Sequence, residues 1–266
     1  MSREEDLLVH EGDAVCTLVI NRPDQSNLLT PGCLLKIRDV MYRLSQDGRV
    51  RAVVLRGAGD RAFSAGYDIA ALPTQPTPEM AGQLLQTPPL EQALQAIRDF
   101  PYPVIAMVNG DAYGGGCELA VGCDIRIAAT HVKMGMPPAK LGLVYPYDGY
   151  RRFLTVLGFS RTLELFLTGR AYDSRACLDM GLVNRIVEKH RLESVTHELS
   201  RELSENSPLS LKGTKTALYK IARYPILDPE DEASLRALFV DSLKSRDMEE
   251  GKQAFMEKRK PRFQGR

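Results

Sequence analysis

Apolar residues recur along this chain with two periods, and the period changes where turn residues fall. Ala14-Val-Cys-Thr-Leu-Val-Ile20 is a short β-branched run closed by Asn21-Arg-Pro-Asp24, which predicts a strand and a turn. Thr30 and Pro31 follow as an N-cap and a first helical position. Behind them Leu34, Leu35, Ile37, Val40, Met41 and Leu44 recur at helical spacing. Arg51-Ala-Val-Val-Leu-Arg56 predicts a second strand, ending at Gly57-Ala-Gly59. A strand–helix–strand order implies a right-handed crossover between neighbouring strands.

The order then repeats. Leu90 to Phe100 reads as a helix, Pro103-Val-Ile-Ala-Met-Val108 as a buried strand, Glu118 to Gly122 as the start of a helix and Asp124-Ile-Arg-Ile-Ala-Ala129 as another strand. Thr74 to Pro89, with proline at 76, 78, 88 and 89, predicts an intervening loop. From about Ser160 the helical period takes over, over 160–169, 173–180, 191–206 and 208–222, with one short strand in Gly181-Leu-Val-Asn-Arg-Ile-Val187. No internal repeat shows a fixed sequence period.

Composition narrows the class without naming it. A chain of 266 residues can bury one sizeable core with a small helical appendage. A hydrophobic content of 44% and a charged content of 26% are those of a soluble globular protein. A formal net charge of +1 makes no case for nucleic acid or an anionic membrane. The five cysteines lack metal-ligand spacing and read as reduced, buried thiols, so no metal site is expected. The charged start, Met1-Ser-Arg-Glu-Glu-Asp6, does not resemble a secretory signal, and no apolar run approaches the roughly 20 residues a membrane span needs. A cytoplasmic location is expected.

Two glycine turns carry the candidate chemistry: Phe63-Ser-Ala-Gly-Tyr-Asp-Ile69 and Tyr113-Gly-Gly-Gly-Cys-Glu-Leu119, each after an apolar strand-like run. Singly, each is an ordinary structural turn. Together they suggest two backbone N–H groups brought to one point, an oxyanion hole able to stabilise an enolate. Gly114 and Gly115 lack Cβ, so backbone can approach a ligand closely. A helix beginning near Gly116 would aim its positive end at the same oxygen. One such donor is typically worth about 3–4 kcal/mol to a transition state. Glu118, one turn into that helix, reads by itself as a carboxylate favouring the helix dipole.

These motifs resemble the crotonase (enoyl-CoA hydratase/isomerase) superfamily over essentially the whole chain. The resemblance is carried by Asn21-Arg-Pro23 with Asn27-Leu28, the two glycine turns, Val108-Asn-Gly110, Cys123-Asp-Ile125, Leu141-Gly142, Gly181-Leu-Val183 and Phe255-Met-Glu-Lys-Arg-Lys-Pro261. It implies an α/β fold, a spiral of ββα units forming two roughly perpendicular sheets over residues 1–190, with a C-terminal helical region over 191–266 for trimerisation and coenzyme A contacts. It implies a homotrimer or dimer of trimers that binds an acyl-CoA thioester, with coenzyme A arriving as part of the substrate and no tightly bound cofactor. The amides of Tyr67 and Gly115 match the oxyanion hole. Arg22, Leu28, the Ala65 carbonyl, Asp68 and Ile69 match one wall of the coenzyme A site, and Phe255 and Lys258 match contacts to adenine and nucleotide phosphate.

The resemblance also exposes a departure. Glu118 matches the first of two hydratase glutamates, but the position of the second is Pro138, which cannot titrate. Leu141-Gly-Leu-Val-Tyr-Pro-Tyr147 brings Tyr145 towards the site instead, which resembles the methylmalonyl-CoA decarboxylase branch, although Tyr67 replaces a histidine of that branch. Decarboxylation of a malonyl-type CoA through an enolate suits this inventory, since no base need remove a proton from carbon. An enoyl-CoA hydratase or isomerase using Glu118 with an atypical second acid is the alternative. Asp148 is the candidate for that acid, against its reading as a turn residue before Gly149. A non-catalytic CoA-binding module would keep the turns and lose the acids. An RNA-binding role would need a lysine-rich helix, and residues 85–100 offer only Arg98. Tyr67, Leu72, Leu84, Leu85, Leu90 and Tyr145 are the candidate acyl-pocket residues.

Overall fold

The structure, a computed structural model, describes residues 5–67, 88–141 and 143–223, together with 230, 234, 245–247, 250, 254, 257, 259 and 261–266. Its strands form two sheets. The larger has six strands: β1 (Leu7–Glu11), β2 (Val15–Ile20), β3 (Ala52–Gly57), β5 (Val104–Val108), β7 (Ile125–Ala129) and β10 (Arg185–Val187), in that order. The smaller has four: β4 (Ala62–Ser64), β6 (Asp111–Tyr113), β8 (Lys133–Gly135) and β9 (Ala171–Asp173). Only the β1–β2 and β8–β9 pairs are antiparallel.

Consecutive strands alternate between the sheets: β3, β5 and β7 lie side by side in one, and β4, β6 and β8 side by side in the other. That is the expected spiral of ββα units. The larger-sheet strands were legible because β5 is buried along its whole length, as a strand covered on both faces must be. The strands of the smaller sheet have three residues each, too few for any period to show. β1 was not expected either; its ladder with β2, Leu7↔Ile20 to Glu11↔Cys16, forms one edge.

Eight helices are described: α1 (Pro31–Asp47), α2 (Pro89–Asp99), α3 (Gly115–Val121), α4 (Tyr147–Leu157), α5 (Phe159–Thr168), α6 (Ser174–Met180), α7 (Leu192–Glu205) and α8 (Pro208–Arg223). The Thr30 hydroxyl caps α1 by accepting from the Cys33 N–H at 3.0 Å, as its position before Pro31 predicts. The apolar stripe of α1, with Leu34, Ile37, Met41 and Leu44 fully buried, packs on α2. α7 lies across β3, β5 and β7. Gly181, at φ +84°, ends α6, so the strand expected over 181–187 shortens to Arg185–Val187.

α8 is pinned to the core by a largely buried ion pair. Lys215 Nζ donates to Asp124 Oδ2 at 2.7 Å and to the carbonyls of Ile97 and Tyr102 at 3.1 and 3.0 Å. The Tyr219 hydroxyl donates to Asp124 Oδ1 at 2.8 Å. Among the described residues no helix is long and apolar enough to cross a membrane.

Candidate active site

The first glycine turn follows β4 and is held from both sides. The Gly66 N–H donates to the buried Ser64 hydroxyl at 3.1 Å. The Ala65 N–H donates to the Ser26 carbonyl at 3.0 Å, and the Leu29 N–H to the Gly66 carbonyl at 2.8 Å. The partner loop, 22–29, is shaped by Asn27, a buried residue with a left-handed φ of 54°. Its side chain donates to the carbonyls of Ala58 and Ala62 at 3.0 and 2.7 Å and accepts from the Arg22 N–H at 3.0 Å. Arg22 Nη1 donates to the Leu28 carbonyl at 3.4 Å. Arg22 and Leu28 therefore lie in the loop that bonds the turn carrying Ala65. Asp68, Ile69, Phe255 and Lys258 lie outside the described residues, as do Leu72, Leu84 and Leu85.

The second turn abuts the first. Gly66 has φ +85°, and a Cβ there would lie 2.7 Å from the Tyr113 carbonyl oxygen and 2.9 Å from the Gly115 nitrogen. No other residue tolerates both that backbone and that proximity. A Cβ on Gly115 would lie 3.2 Å from Tyr67 Cδ2 and 3.5 Å from Leu90 Cδ2. Tyr67, Gly115 and Leu90 are thus neighbours. Neither the Tyr67 nor the Gly115 N–H donates to another backbone group among the described residues. Gly115 is the first residue of α3, one earlier than expected, where N–H groups have no intrahelical partner. Burial pushes the Tyr67 phenol up to about 12, so its ring stays neutral.

Glu118 stands in the first turn of α3 and is only 4% exposed. Both its oxygens are engaged. The Tyr145 hydroxyl donates to Oε2 at 2.5 Å, and Arg152 Nη1 donates to Oε1 at 2.5 Å. Burial raises the Glu118 carboxyl above the ordinary glutamate range, against the Arg152 charge and the Tyr145 hydrogen bond, while Glu91 adds to the rise. Burial and the neighbouring Glu118 also push Tyr145 well above the usual tyrosine range. The Tyr145 ring packs on Tyr150 and Phe166, with centroids 6.2 and 5.5 Å away. Both of those rings, with Pro138, line an apolar cavity of about 470 Å³.

Arg152 and Glu91 were not singled out from the sequence. Arg152 sits on α4, a helix the sequence reading did not assign. A signal existed: Gly149, Phe153 and Leu157 recur at helical spacing and are the buried positions of α4, and Arg152 shares their side. Glu91 is a carboxylate in the first turn of α2. The side chain of Asp148, the candidate second acid, is 47% exposed and paired with Arg151 at 3.2 Å. Only its backbone carbonyl touches the site, accepting from Arg152 Nη1 at 3.3 Å. Among the described residues no cluster of His, Cys, Asp and Glu is arranged to hold a metal.

A two-sheet ββα spiral with two abutting glycine turns over a buried glutamate is the crotonase fold. The enoyl-CoA hydratase/isomerase family model matches residues 10–266, and the chain belongs to that family and so to the crotonase superfamily of acyl-CoA enzymes. It is 35% identical over 254 residues to a probable enoyl-CoA hydratase of Bacillus subtilis, covering 94% of this chain and 95% of that one. It is 32% identical over 232 residues to the methylmalonyl-CoA decarboxylase of Escherichia coli, covering 86% and 87%. A crystal structure of an enoyl-CoA hydratase/carnithine racemase from Magnetospirillum magneticum superposes with a TM-score of 0.90 at 30% identity, covering 99% of this chain and 97% of that one.

Proposed function

We propose that the chain is an enoyl-CoA hydratase or isomerase in which Glu118 carries the proton and the N–H groups of Tyr67 and Gly115 hold the enolate oxygen. The observation that carries this reading is the buried Glu118 carboxyl, three residues beyond Gly115 and with its proton affinity raised. In hydration, water oxygen adds to Cβ of the enoyl thioester as Glu118 takes one water proton. The π electrons move onto the thioester oxygen, where two N–H donors meet the charge. The enolate collapses as Glu118 returns that proton to Cα. In isomerisation the same carboxylate moves a proton between Cα and Cγ. One carboxylate is enough for either, so Pro138 in place of a second glutamate is tolerated. The match to a probable hydratase supports this order of readings.

Two observations favour a second reading, decarboxylation of a malonyl-type thioester such as methylmalonyl-CoA: the Tyr145 hydroxyl beside Glu118, and the lack of a carboxylate at Pro138. There the C–C bond breaks, its electrons pass to the thioester oxygen, carbon dioxide leaves and Cα takes a proton. The 32% identical decarboxylase is in keeping with it.

Coenzyme A contacts from Arg22, Leu28, Ala65, Asp68, Ile69, Phe255 and Lys258, a spiral core over 1–190, and a homotrimer or dimer of trimers built through 191–266 belong to this proposal by resemblance. The purified protein is tested with crotonyl-CoA and methylmalonyl-CoA separately, by mass spectrometry. Hydration of crotonyl-CoA that falls by about 10²–10⁴-fold in Glu118→Gln is expected. Loss of carbon dioxide from methylmalonyl-CoA, with crotonyl-CoA untouched, overturns the first reading in favour of the second.

A further inference from the structure

The Glu118–Arg152 pair is not closed on itself. The same guanidinium donates from Nη2 to Glu91 Oε2 at 2.7 Å while Nη1 holds Glu118. One cation thus serves two carboxylates in a largely buried setting, with the Arg152 side chain 17% and the Glu91 side chain 21% exposed. The planar fork of arginine makes this possible, because it offers donors in two fixed directions; a lysine ammonium is a point charge. Three helices meet there: Glu118 comes from α3, Arg152 from α4 and Glu91 from the first turn of α2. The residue beside Glu91, Leu90, lies against Gly115, so α2 touches the amide turn directly and the Glu118 carboxylate through Arg152.

We propose that Glu91 is a positioning residue for Glu118, acting through the one guanidinium of Arg152 that both carboxylates share. Glu91 fixes the direction from which Arg152 grips Oε1 and draws off part of its charge. Without Glu91 the whole cation would turn to Glu118 and hold it as a carboxylate. The inference rests on the reading of Glu118 as the proton carrier.

The groups facing Glu118 are Tyr145 from the segment before α4, Arg152 from α4, Glu91 from α2, Tyr67 from the first glycine turn and Cys117 beside it on α3. Burial raises the proton affinities of Tyr145, Tyr67 and Cys117, so these stay neutral near pH 7. Arg152 and Glu91 are left to set the local field. Glu91 opposes ionisation of Glu118 and Arg152 favours it.

The experiment titrates the Glu118 carboxyl of the full chain by difference infrared spectroscopy against Glu118→Gln, alongside the pH profile of kcat/KM on crotonyl-CoA. In Glu91→Gln both the carboxyl titration and the acid limb of the profile move to lower pH, and Glu91→Asp moves them back towards the parent. A Glu118 titration unmoved in Glu91→Gln, with circular dichroism unchanged, overturns the inference. If instead Glu118→Gln keeps full activity, the proton-carrier reading fails, while the infrared titration still decides whether Glu91 acts on Glu118.

Discussion

Arg152 Nη1 lies 2.5 Å from Glu118 Oε1, although 34 positions separate the two residues in the chain. The contact joins the helix that opens at the second glycine turn to α4, a helix the sequence reading did not assign. With the Tyr145 hydroxyl on the other oxygen, it leaves the carboxylate no free rotation. A carboxylate so held is fixed in one orientation.

Glu118 should give the protein a distinctive response to pH. Its folded pKa is raised above the ordinary 4.5. A carboxyl raised on folding contributes stability that is complete below the unfolded value and is lost as pH rises through the folded value. Wild type should therefore lose stability relative to Glu118→Gln as pH climbs above 4.5. Urea unfolding of both across a pH series measures this, and parallel stability curves would refute it. The acid limb of kcat/KM should lie above 4.5 for the same reason.

Tyr145→Phe removes one hydroxyl and keeps the ring that packs on Tyr150 and Phe166. The lost hydrogen bond favours the Glu118 carboxylate, so the acid limb should move to higher pH, opposite to Glu91→Gln. Stability should change by no more than about 1–2 kcal/mol. A limb that moves to lower pH contradicts the assigned hydrogen bond.

At Gly66 the expected damage is to backbone. Alanine would have to adopt φ +85° with its Cβ 2.7 Å from the Tyr113 carbonyl. Gly66→Ala should cost about 1–3 kcal/mol and weaken acyl-CoA binding by parting the two turns. Thermal unfolding and calorimetric titration with a saturated acyl-CoA check both; an unperturbed affinity would show the turns to be independent.

Gly149→Ala sets helix propensity against packing. In an exposed helix interior the change would stabilise by about 0.8–1 kcal/mol. Here the new Cβ would lie 2.5 Å from the Tyr145 ring and 3.1 Å from Glu118 Oε1. Net destabilisation and a lowered kcat are expected, the sign opposite to propensity. A more stable, fully active variant would mean that the ring yields freely.

Lys215→Met tests how α8 is held. It strips Asp124 of its cation and leaves the Ile97 and Tyr102 carbonyls without their donor. Breaking such a buried pair costs about 3–5 kcal/mol. A fall in chemical stability of well under that range would show the Tyr219 hydroxyl to be anchor enough.

Much of the fold was legible where burial imposes a period. α1 declared itself through Thr30, Pro31 and a stripe of apolar residues, and β5 through an unbroken apolar run. The smaller sheet was not legible, because three-residue strands are defined by their neighbours rather than by alternation. The glycine turns were legible as motifs, since glycine is needed where backbone meets backbone. What shapes the loop that holds the first turn was not: Asn27 binds Ala58 and Ala62 across more than thirty positions, and nothing local marks it for that task.

The sequence by itself determined the central strands of the larger sheet, most of the helices, the two glycine turns and the glutamate one turn beyond the second. Each of these rests on local physics: side-chain period, glycine's freedom and the unpaired N–H groups of a helix start. Only the tertiary structure decided the rest of the company Glu118 keeps. Tyr145 was already expected there by resemblance; Arg152 reaches Glu118 from α4 and Glu91 joins it through Arg152 from α2, while the Asp148 side chain pairs with Arg151. Proton affinity depends on charges and burial in space, and chain order does not encode those distances.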